Sequence, residues 1–393
     1  MSAVAVPSIP LVESDEHRAL REAVRGIAAS FGPAYMTERA AAQLPPHELW
    51  VALASRGYLG VNVPEEYEGG GLGLVELAIV EEELSAAGCP LFQLLTSAAI
   101  VGTVLTRYGS PDQKERWLRE IGSGREHYAF AITEPDAGSN THRVATRARR
   151  TDRGYVLRGT KTYISAVEDA PAMLVVANSG EPGDRARSRL SLFMVDTDAP
   201  GLSRQPIPTA PQLPEQQWTL YFDDVEIDAD RLVGEEGGAL SLLFDGLNPE
   251  RVMAAAICTG VGRYALDKAV AYANERVVWG DTPIGAHQGV AHPLAEGKIQ
   301  LEAARLLATK AAILHDAGAP AGEAANMAKL LAADAGLHCL DQAIQTHGGN
   351  GLADEYGLTG LWFAVRLLKT APVSREMILN YVAQHSLGLP RSY

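Results

Sequence analysis

The chain begins with a long region of helical hydrophobic spacing, from Leu11 to about Tyr128. Leu20, Val24 and Ile27 fall on one helix face, and Ser14 stands before them as a predicted N-cap. Residues 64–71, PEEYEGGG, interrupt the pattern, and their glycines allow backbone angles that other residues avoid. The region therefore predicts several helices joined by loops.

Near Ala129 the pattern changes to short apolar runs of β type, separated by Gly, Pro and Asp. These runs are Tyr155–Leu157, Met173–Val176, Leu190–Val195 and Trp218–Phe222. They predict a small antiparallel barrel or sandwich. The arginine-rich stretch 143–153 is interpreted as a solvated strand and turn, the alternative being a nucleic-acid site.

From about Gly238 onward, long segments rich in Ala and Leu predict an all-helical bundle. The predicted helices are Glu250–Arg276, Pro293–Ala317 and Ala321–Thr346. Because strands and helices do not alternate, the fold class is α+β rather than a doubly wound sheet. We expect three domains: residues 1–128 all-α, 129–238 β and 239–393 all-α.

Charge and composition narrow the possible partners. A formal net charge of −14 makes nucleic acid and anionic membranes poor partners. Met1–Pro10 lacks the basic start and apolar run of a signal peptide, and no apolar run of about 18 residues occurs. The three cysteines and ten histidines show no zinc-binding spacing. We expect a cytoplasmic protein with no metal and no membrane segment.

The most distinctive string is residues 128–140, YAFAITEPDAGSN. Thr133 is followed by a turn in which Pro135 restricts the backbone and Gly138 allows conformations that other residues avoid. Ser139 presents a second hydroxyl nearby. By itself the string is a structured loop able to donate hydrogen bonds. As a motif it resembles the TEP-x-AGS signature of the FAD-dependent acyl-CoA dehydrogenases.

Three further strings follow in that family's order. Residues 161–165, KTYIS, resemble its K-x-W-I-T segment, and residues 276–288, RVVWGDTPIGAHQ, resemble R-x-x-F-G-x-P-I-x-x-x-Q. Residues 345–351, QTHGGNG, resemble Q-x-x-GG-x-G. The resemblance covers nearly the whole chain, to about Gln384. It implies the acyl-CoA dehydrogenase fold: an N-terminal α-helical domain, a middle antiparallel β-barrel domain and a C-terminal four-helix-bundle domain.

The resemblance implies that the cofactor is FAD. Thr133 would bond the flavin ring, Tyr163 would pack on the isoalloxazine, Ser165 would approach N5, and Ser139 would lie near the pyrophosphate or CoA. Tyr163 stands where the family has tryptophan and Ser165 where it has threonine, so flavin shielding or electron exit would differ. Trp279 replaces a phenylalanine and keeps an aromatic face.

In a homotetramer or homodimer, the resemblance implies that Arg276, Gln288 and the loop 345–351 would reach the FAD of a neighbouring subunit. Arg276 is a permanent cation suited to phosphate, and a Gly-rich turn lets main-chain N–H groups approach an anion. Taken singly, Arg276 is more often a surface ion-pair residue. The complete implied cofactor set is Phe130, Ile132, Thr133, Ser139, Tyr163, Ser165, Arg276, Trp279, Gln288, Gln345, Gly348, Gly349, Ser374 and Glu376.

The catalytic base departs from the family's commoner pattern. Most members carry a glutamate in a Y-E-G-T string near the C-terminus, but Pro372 occupies that position here. A minority, typified by isovaleryl-CoA and long-chain acyl-CoA dehydrogenases, carry it in an L-E-R string on a helix of the C-terminal domain. Residues 246–251, GLNPER, match that string and make Glu250 the candidate base. The alternative is that Pro249 and Glu250 mark an ordinary helix start.

The resemblance also implies substrate contacts at Ser139, Arg251, Ala371 and Pro372. A proline at 372 has no N–H to help bind the thioester oxygen, so those donors must differ. Ala371 replaces a tyrosine or glycine and favours a branched, cyclic or bulky acyl group. The rival carboxylate, Glu376, falls where the family has a flavin contact.

The implied reaction is α,β-dehydrogenation of an acyl-CoA, or acyl-carrier-protein, thioester to the trans-2-enoyl product. Glu250 would take the α proton while hydride leaves the β carbon for flavin N5. An electron-transfer flavoprotein would accept the electrons. Two alternatives stay open: an oxygen-using acyl-CoA oxidase or flavin monooxygenase of the same fold, and a base-less FAD-binding partner subunit.

Overall fold

The computed structural model describes residues 12–180 and 189–391. The start of the predicted helical region at Leu11, and the segment 1–10 in which no signal peptide is expected, lie outside these residues. Two compact units are present. One, called here the sheet unit, comprises residues 40–72 and 92–250, and the other, the helical unit, comprises the described residues of 1–39, 73–91 and 251–393. The three domain boundaries expected from the sequence stay a prediction.

The described helices and strands follow the order α, β, α along the chain. The helices before the sheet are α1 (Asp15–Ala28), α2 (Pro33–Ala42), α3 (His47–Ala54), α4 (Leu74–Ala86), α5 (Phe92–Leu94), α6 (Thr103–Tyr108), α7 (Pro111–Gln113) and α8 (Arg119–Ser123). Leu95–Gly102 and Lys114–Leu118 continue α5 into α6 and α7 into α8 as π-helical turns. The helices after the sheet are α9 (Ala239–Glu275), α10 (Gln288–Asp316), α11 (Gly322–His347), α12 (Leu358–Thr370) and α13 (Arg375–Tyr381). The α+β fold class is confirmed.

Local sequence signals explain where the first helix begins. The Ser14 hydroxyl accepts a hydrogen bond from the His17 amide at 3.2 Å, as predicted for an N-cap. On the face that the spacing identified, Val24 is fully buried, while Leu20 and Ile27 are half-buried. The predicted start of α1 is thus confirmed.

The sheet unit is built on one eight-stranded sheet. Its strands are β1 (Ala129–Ala131), β2 (Arg147–Arg150), β3 (Gly154–Ser165), β4 (Ala172–Asn178), β5 (Leu190–Asp196), β6 (Leu202–Ile207), β7 (Gln217–Asp228) and β8 (Leu232–Val233). The order is β6-β7-β3-β2-β4-β5-β8, and β1 pairs with β4. The four predicted runs lie in β3, β4, β5 and β7. The sheet is mixed rather than purely antiparallel, because β1 and β2 both run parallel to β4.

Burial follows the apolar runs. Six successive residues of both β4 and β5 are buried, as expected for strands covered on both faces. In β3, Tyr155 pairs with Ile227 and Leu157 with Val225 of β7, and these side chains join one apolar core. The arginines of β2 are exposed, which confirms the interpretation of stretch 143–153 as a solvated strand and turn.

The helical unit is stabilised by a buried charge cluster as well as by apolar packing. Glu83 on α4 is fully buried and accepts hydrogen bonds from Arg21 at 2.8 Å, Arg25 at 2.9 Å and Arg263 at 2.8 Å. Burial favours a higher pKa, but the bonds from Arg263 and Arg21 outweigh it and lower the pKa of Glu83 to about 2. None of the helices within 12–180 and 189–391 is long and apolar enough to cross a membrane.

Candidate active site

The sheet unit brings together the predicted flavin contacts that follow β1 and end β3. The Thr162 amide donates to the Thr133 carbonyl at 2.9 Å, which joins the two segments. Tyr163 has a left-handed φ of +57° and exposes 63% of its surface. Among the described residues, no hydrogen bond engages the Thr133 hydroxyl. An exposed aromatic ring and an available hydroxyl therefore lie on adjoining segments.

A buried ion pair is formed by two residues that lie close to them along the chain, Lys161 and Glu134. Lys161 is fully buried, and its Nζ donates to the Ile132 carbonyl and to Glu134 Oε1, both at 2.9 Å. Burial lowers the pKa of Lys161 to about 8, against the opposite effect of Glu134. The pKa of Glu134 is lowered, because Lys161 and neighbouring N–H groups outweigh its burial. Lys161 thus contacts the residues on both sides of Thr133.

The remaining predicted contacts in the sheet unit differ in accessibility. Phe130 is buried and pairs within the sheet with Leu174, on the face opposite the one whose apolar core Ala129 and Ala131 join. Ile132 is half-buried and Ser139 is exposed. The Ser165 hydroxyl is already engaged, since it exchanges hydrogen bonds with the Gln217 side chain at 2.8 and 3.2 Å.

The helical unit brings together a second group of predicted contacts. Arg276, Trp279, Gln288 and Gln345 are all exposed, and Trp279 exposes 84% of its surface. In the part of the chain that is described, the Arg276 guanidinium makes no ion pair. The loop after Arg276 closes on itself, because the Ile284 amide donates to the Arg276 carbonyl at 2.8 Å.

Tyr272 connects this loop to the glycine-rich loop 348–351. Its ring lies 4.3 Å from the His347 ring, and Asn350 Nδ2 donates to its hydroxyl at 3.2 Å. His347 is buried, with Nδ1 donating to the Ala343 carbonyl at 2.7 Å, and it also contacts the Tyr356 ring. An added Cβ at Gly348 or Gly349 would meet open space, so both peptides are accessible to a ligand.

Glu250 lies well inside helix α9, which corrects one expectation. Pro249 is an interior residue of a helix that begins at Ala239, so neither it nor Glu250 marks a helix start. Proline loses the N–H bond to residue 245 and normally destabilises a helix interior. Here tertiary packing holds the preceding turns: Asp245 accepts a hydrogen bond from Tyr108, and a Cβ on Gly246 would lie 3.1 Å from Val104. Glu250 and Arg251 are both half-buried.

The segment around Pro372 is held from α11. Lys329 is buried and donates to the Val373 carbonyl at 2.6 Å and to the Lys369 carbonyl at 3.3 Å. Ala371 is exposed and Pro372 half-buried. The two contacts lie on either side of Pro372 and fix the turn between α12 and α13.

The two residues that follow, both predicted to contact the flavin, have different surroundings. The Ser374 hydroxyl caps α13 by accepting from the Met377 amide at 3.3 Å. Glu376 is exposed in the first turn of the same helix. Ser374 therefore has a structural role as a helix cap, independent of any cofactor.

Sequence reasoning missed the buried ionisable groups. Glu215 is buried, its Oε1 accepts from the Phe92 amide at 3.2 Å, and its Oε2 finds no hydrogen-bond partner among the described residues. Burial raises its pKa to about 7. Lys161 carried a signal only through its place in the string KTYIS, because its strand β3 also contains Arg158 and Thr160. Glu215 follows a proline in a polar loop and gave no such signal.

Comparison with known proteins relates this arrangement to a family. Residues 14–125, 129–225 and 240–387 match the models described as acyl-CoA dehydrogenase N-terminal, middle and C-terminal domains. A Mycobacterium tuberculosis protein named acyl-CoA dehydrogenase FadE12 is 50% identical over 384 residues, covering 97% of this chain and 98% of that protein. An acyl-CoA dehydrogenase from Bacillus subtilis is 32% identical, covering 87% and 90% respectively.

Solved structures agree with the sequence matches. A glutaryl-coenzyme A dehydrogenase in complex with glutaryl-CoA has a TM-score of 0.91 and 27% identity, with 98% of each chain covered. Butyryl-CoA dehydrogenase from Megasphaera elsdenii has a TM-score of 0.89 and 26% identity, covering 96% of this chain and 100% of that one. The chain belongs to the acyl-CoA dehydrogenase family.

Proposed function

We propose that the protein is an FAD-dependent acyl-CoA dehydrogenase that converts an acyl-CoA thioester to the trans-2-enoyl-CoA, with Glu250 as the base. The observation that carries the proposal is that the family's commoner carboxylate position is empty at residue 372 while a carboxylate is present at residue 250. Pro372 stands where most of the family has its glutamate, while Glu250 is a half-buried carboxylate in the interior of α9. Its position inside the helix removes the simpler explanation that it starts one.

The residues present fit an FAD molecule. The sheet unit offers the exposed ring of Tyr163 and the available hydroxyl of Thr133. The helical unit offers the exposed cation Arg276 and the open peptides of Gly348 and Gly349, which suit an anionic phosphate. FAD, when bound, supplies an acceptor for the two electrons that leave the acyl chain.

Within this scheme each protein group has a limited task. Glu250 takes the proton from the carbon next to the thioester carbonyl, which requires its carboxyl group to be ionised when the substrate binds. Arg251, beside it, is the proposed substrate contact. Pro372 contributes no N–H, so other donors bind the thioester oxygen as negative charge develops there. Ser139 is proposed to contact the cofactor or CoA from the exposed loop after β1.

Subunit arrangement and partner follow from the same resemblance. We propose a homotetramer or homodimer in which Arg276, Gln288 and Gln345 contact the FAD of a neighbouring subunit, since all three are exposed in the single chain. Trp279 is proposed to lie at the same contact. Electrons then pass to an electron-transfer flavoprotein, and Ala371 leaves space for a branched or bulky acyl group.

The test compares two carboxylates. Glu250→Gln and Glu376→Gln are mixed anaerobically with a panel of straight, branched and ring-bearing acyl-CoAs, and loss of the oxidised flavin absorbance is followed. Glu250→Gln should bleach about 10²- to 10⁴-fold more slowly than wild type, the range that general-base catalysis contributes. Glu376→Gln should change the rate far less.

Each other outcome has a definite meaning. Bleaching of Glu250→Gln at the wild-type rate would contradict the base assignment. If none of the acyl-CoAs bleached the flavin of the wild type, the base-less partner subunit would be favoured. Release of hydrogen peroxide during aerobic turnover, at the rate of substrate consumption, would identify an oxidase instead.

A further inference from the structure

Lys161 makes contacts on both sides of a residue proposed to face the flavin. Its Nζ donates to the carbonyl of Ile132 and to the carboxylate of Glu134, each at 2.9 Å, and Thr133 lies between these two residues. Tyr163 follows two positions later on the same strand as Lys161. One buried ammonium thus connects the loop that carries Thr133 to the strand that carries Tyr163.

Glu134 extends the connection to a third segment. Its carboxylate accepts from the amides of Ala145 at 2.6 Å and Thr146 at 2.9 Å. Strand β3 approaches this segment so closely that a Cβ at Gly159 would lie 2.6 Å from the Thr146 Cα atom. The segment between β1 and β2 is therefore bonded at its beginning and at its end by one buried pair.

The backbone that Lys161 anchors is strained. Tyr163 has a φ of +57°, a left-handed conformation that residues other than glycine rarely adopt. The pairing of β3 with β7 shifts register between Lys161 and Ile164, so the ladder does not restrain Tyr163 itself. Contacts of neighbouring residues must therefore hold Tyr163 in this conformation. On the N-terminal side of Tyr163, the nearest side-chain hydrogen bonds are that of Thr162 with Thr219 and those of Lys161 with Ile132 and Glu134.

We propose that Lys161 and Glu134 form a positioning pair, which holds Thr133 and Tyr163 in the arrangement that binds FAD. The inference rests on the proposed function, because only there do Thr133 and Tyr163 contact the flavin. Both members of the pair are buried, so they would act through Thr133 and Tyr163 rather than by contacting the cofactor. Removal of Lys161 leaves Glu134 ionised and buried without its cation and frees the Ile132 carbonyl, so the loop and the strand lose their common anchor.

The central measurement is release of FAD from the purified full-length holoprotein, followed by the rise of free-flavin fluorescence on dilution. Lys161→Met keeps much of the side-chain volume and removes the charge and both hydrogen bonds. The FAD dissociation constant should rise by about 10- to 100-fold, by analogy with the loss of a residue that orients a metal ligand. The visible absorption bands of the FAD that stays bound should also shift.

Two controls separate positioning from stability. Arg263→Met removes a cation from the buried Glu83, with an N–O distance of 2.8 Å, and has no bond to the flavin-facing segments. It should lower unfolding stability while leaving the flavin spectrum unchanged. The double variant Lys161→Met with Glu134→Gln removes both charges, so stability should recover in part while FAD binding stays weak, because the bond to Ile132 is still absent.

A third variant distinguishes failure of the inference from failure of the site assignment. Thr133→Val removes the hydroxyl proposed to bond the flavin and leaves the buried pair intact. If Thr133→Val changes the flavin spectrum and Lys161→Met does not, the positioning role is wrong. If Thr133→Val also has no effect, the flavin contact itself is wrong. Full recovery of FAD binding together with stability in the double variant would reduce the pair to a structural element.

Discussion

The carboxyl group of Glu215 gives a stability prediction that can be worked out from its surroundings. It is buried, and Glu168 and Asp169 add negative charge to the effect of burial, while hydrogen bonds from its own amide and that of Phe92 oppose it. The result is a pKa raised from 4.5 to about 7. A carboxyl with a raised pKa binds its proton more tightly in the folded protein than in the unfolded chain.

The sign follows directly. Between pH 4.5 and about 7 the folded protein keeps a proton that the unfolded chain releases, so the free energy of unfolding falls as pH rises through this window. Above it, the folded state holds a buried carboxylate at a cost on the order of 3 kcal/mol, the energy equivalent of this shift. Glu215→Gln is neutral at every pH and keeps an oxygen to accept from the Phe92 amide.

We therefore expect Glu215→Gln to match the wild type near pH 4.5 and to be more stable by up to about 3 kcal/mol at pH 8. Urea unfolding of the FAD-loaded protein, followed by tryptophan fluorescence between pH 4.5 and 8, measures the difference. Glu226→Gln is the matched control, because Glu226 is an exposed carboxylate of the same sheet unit. A constant difference between Glu215→Gln and wild type across this pH range would refute the reasoning.

Two further predictions concern the helical unit. Since Arg263 helps to lower the pKa of Glu83 from 4.5 to about 2, Glu83→Gln should cost on the order of 3 kcal/mol of unfolding free energy at pH 7. Between pH 4.5 and 2 the folded state binds fewer protons than the unfolded chain, so the difference in unfolding free energy between wild type and Glu83→Gln should disappear as pH falls through this range. Urea unfolding at each pH measures the difference, and a difference that persists at low pH would contradict the prediction. Tyr272→Phe keeps the ring stack but removes the hydroxyl that accepts a hydrogen bond from Asn350 at 3.2 Å. The FAD dissociation constant, measured from released flavin fluorescence, should rise about three- to tenfold, the usual effect of losing one hydrogen bond. Tyr356→Phe is its control, and equal FAD release from both variants would count against a role for that bond.

Much of the fold could be predicted from local patterns. The N-cap at Ser14 and the apolar runs of β4 and β5 are short-range signals, because a cap forms within one helical turn and a continuous apolar run is the local pattern of a strand covered on both faces. Family motifs then predicted a flavin-binding role for Thr133 and Tyr163, which stays a prediction. The parallel pairing of β1 and β2 with β4 could not be predicted, since strand direction depends on contacts between distant segments.

The beginning of α9 illustrates the same limit at the proposed catalytic residue. Pro249 is locally a helix-start residue, and only packing of the preceding turns against residues 103–108 makes it an interior one. The sequence by itself determined the family, the α, β, α order and the absence of a carboxylate at Pro372. The tertiary structure decided which charges are buried, Lys161, Glu215 and Glu83, because burial and the resulting pKa changes arise from segments far apart in the chain.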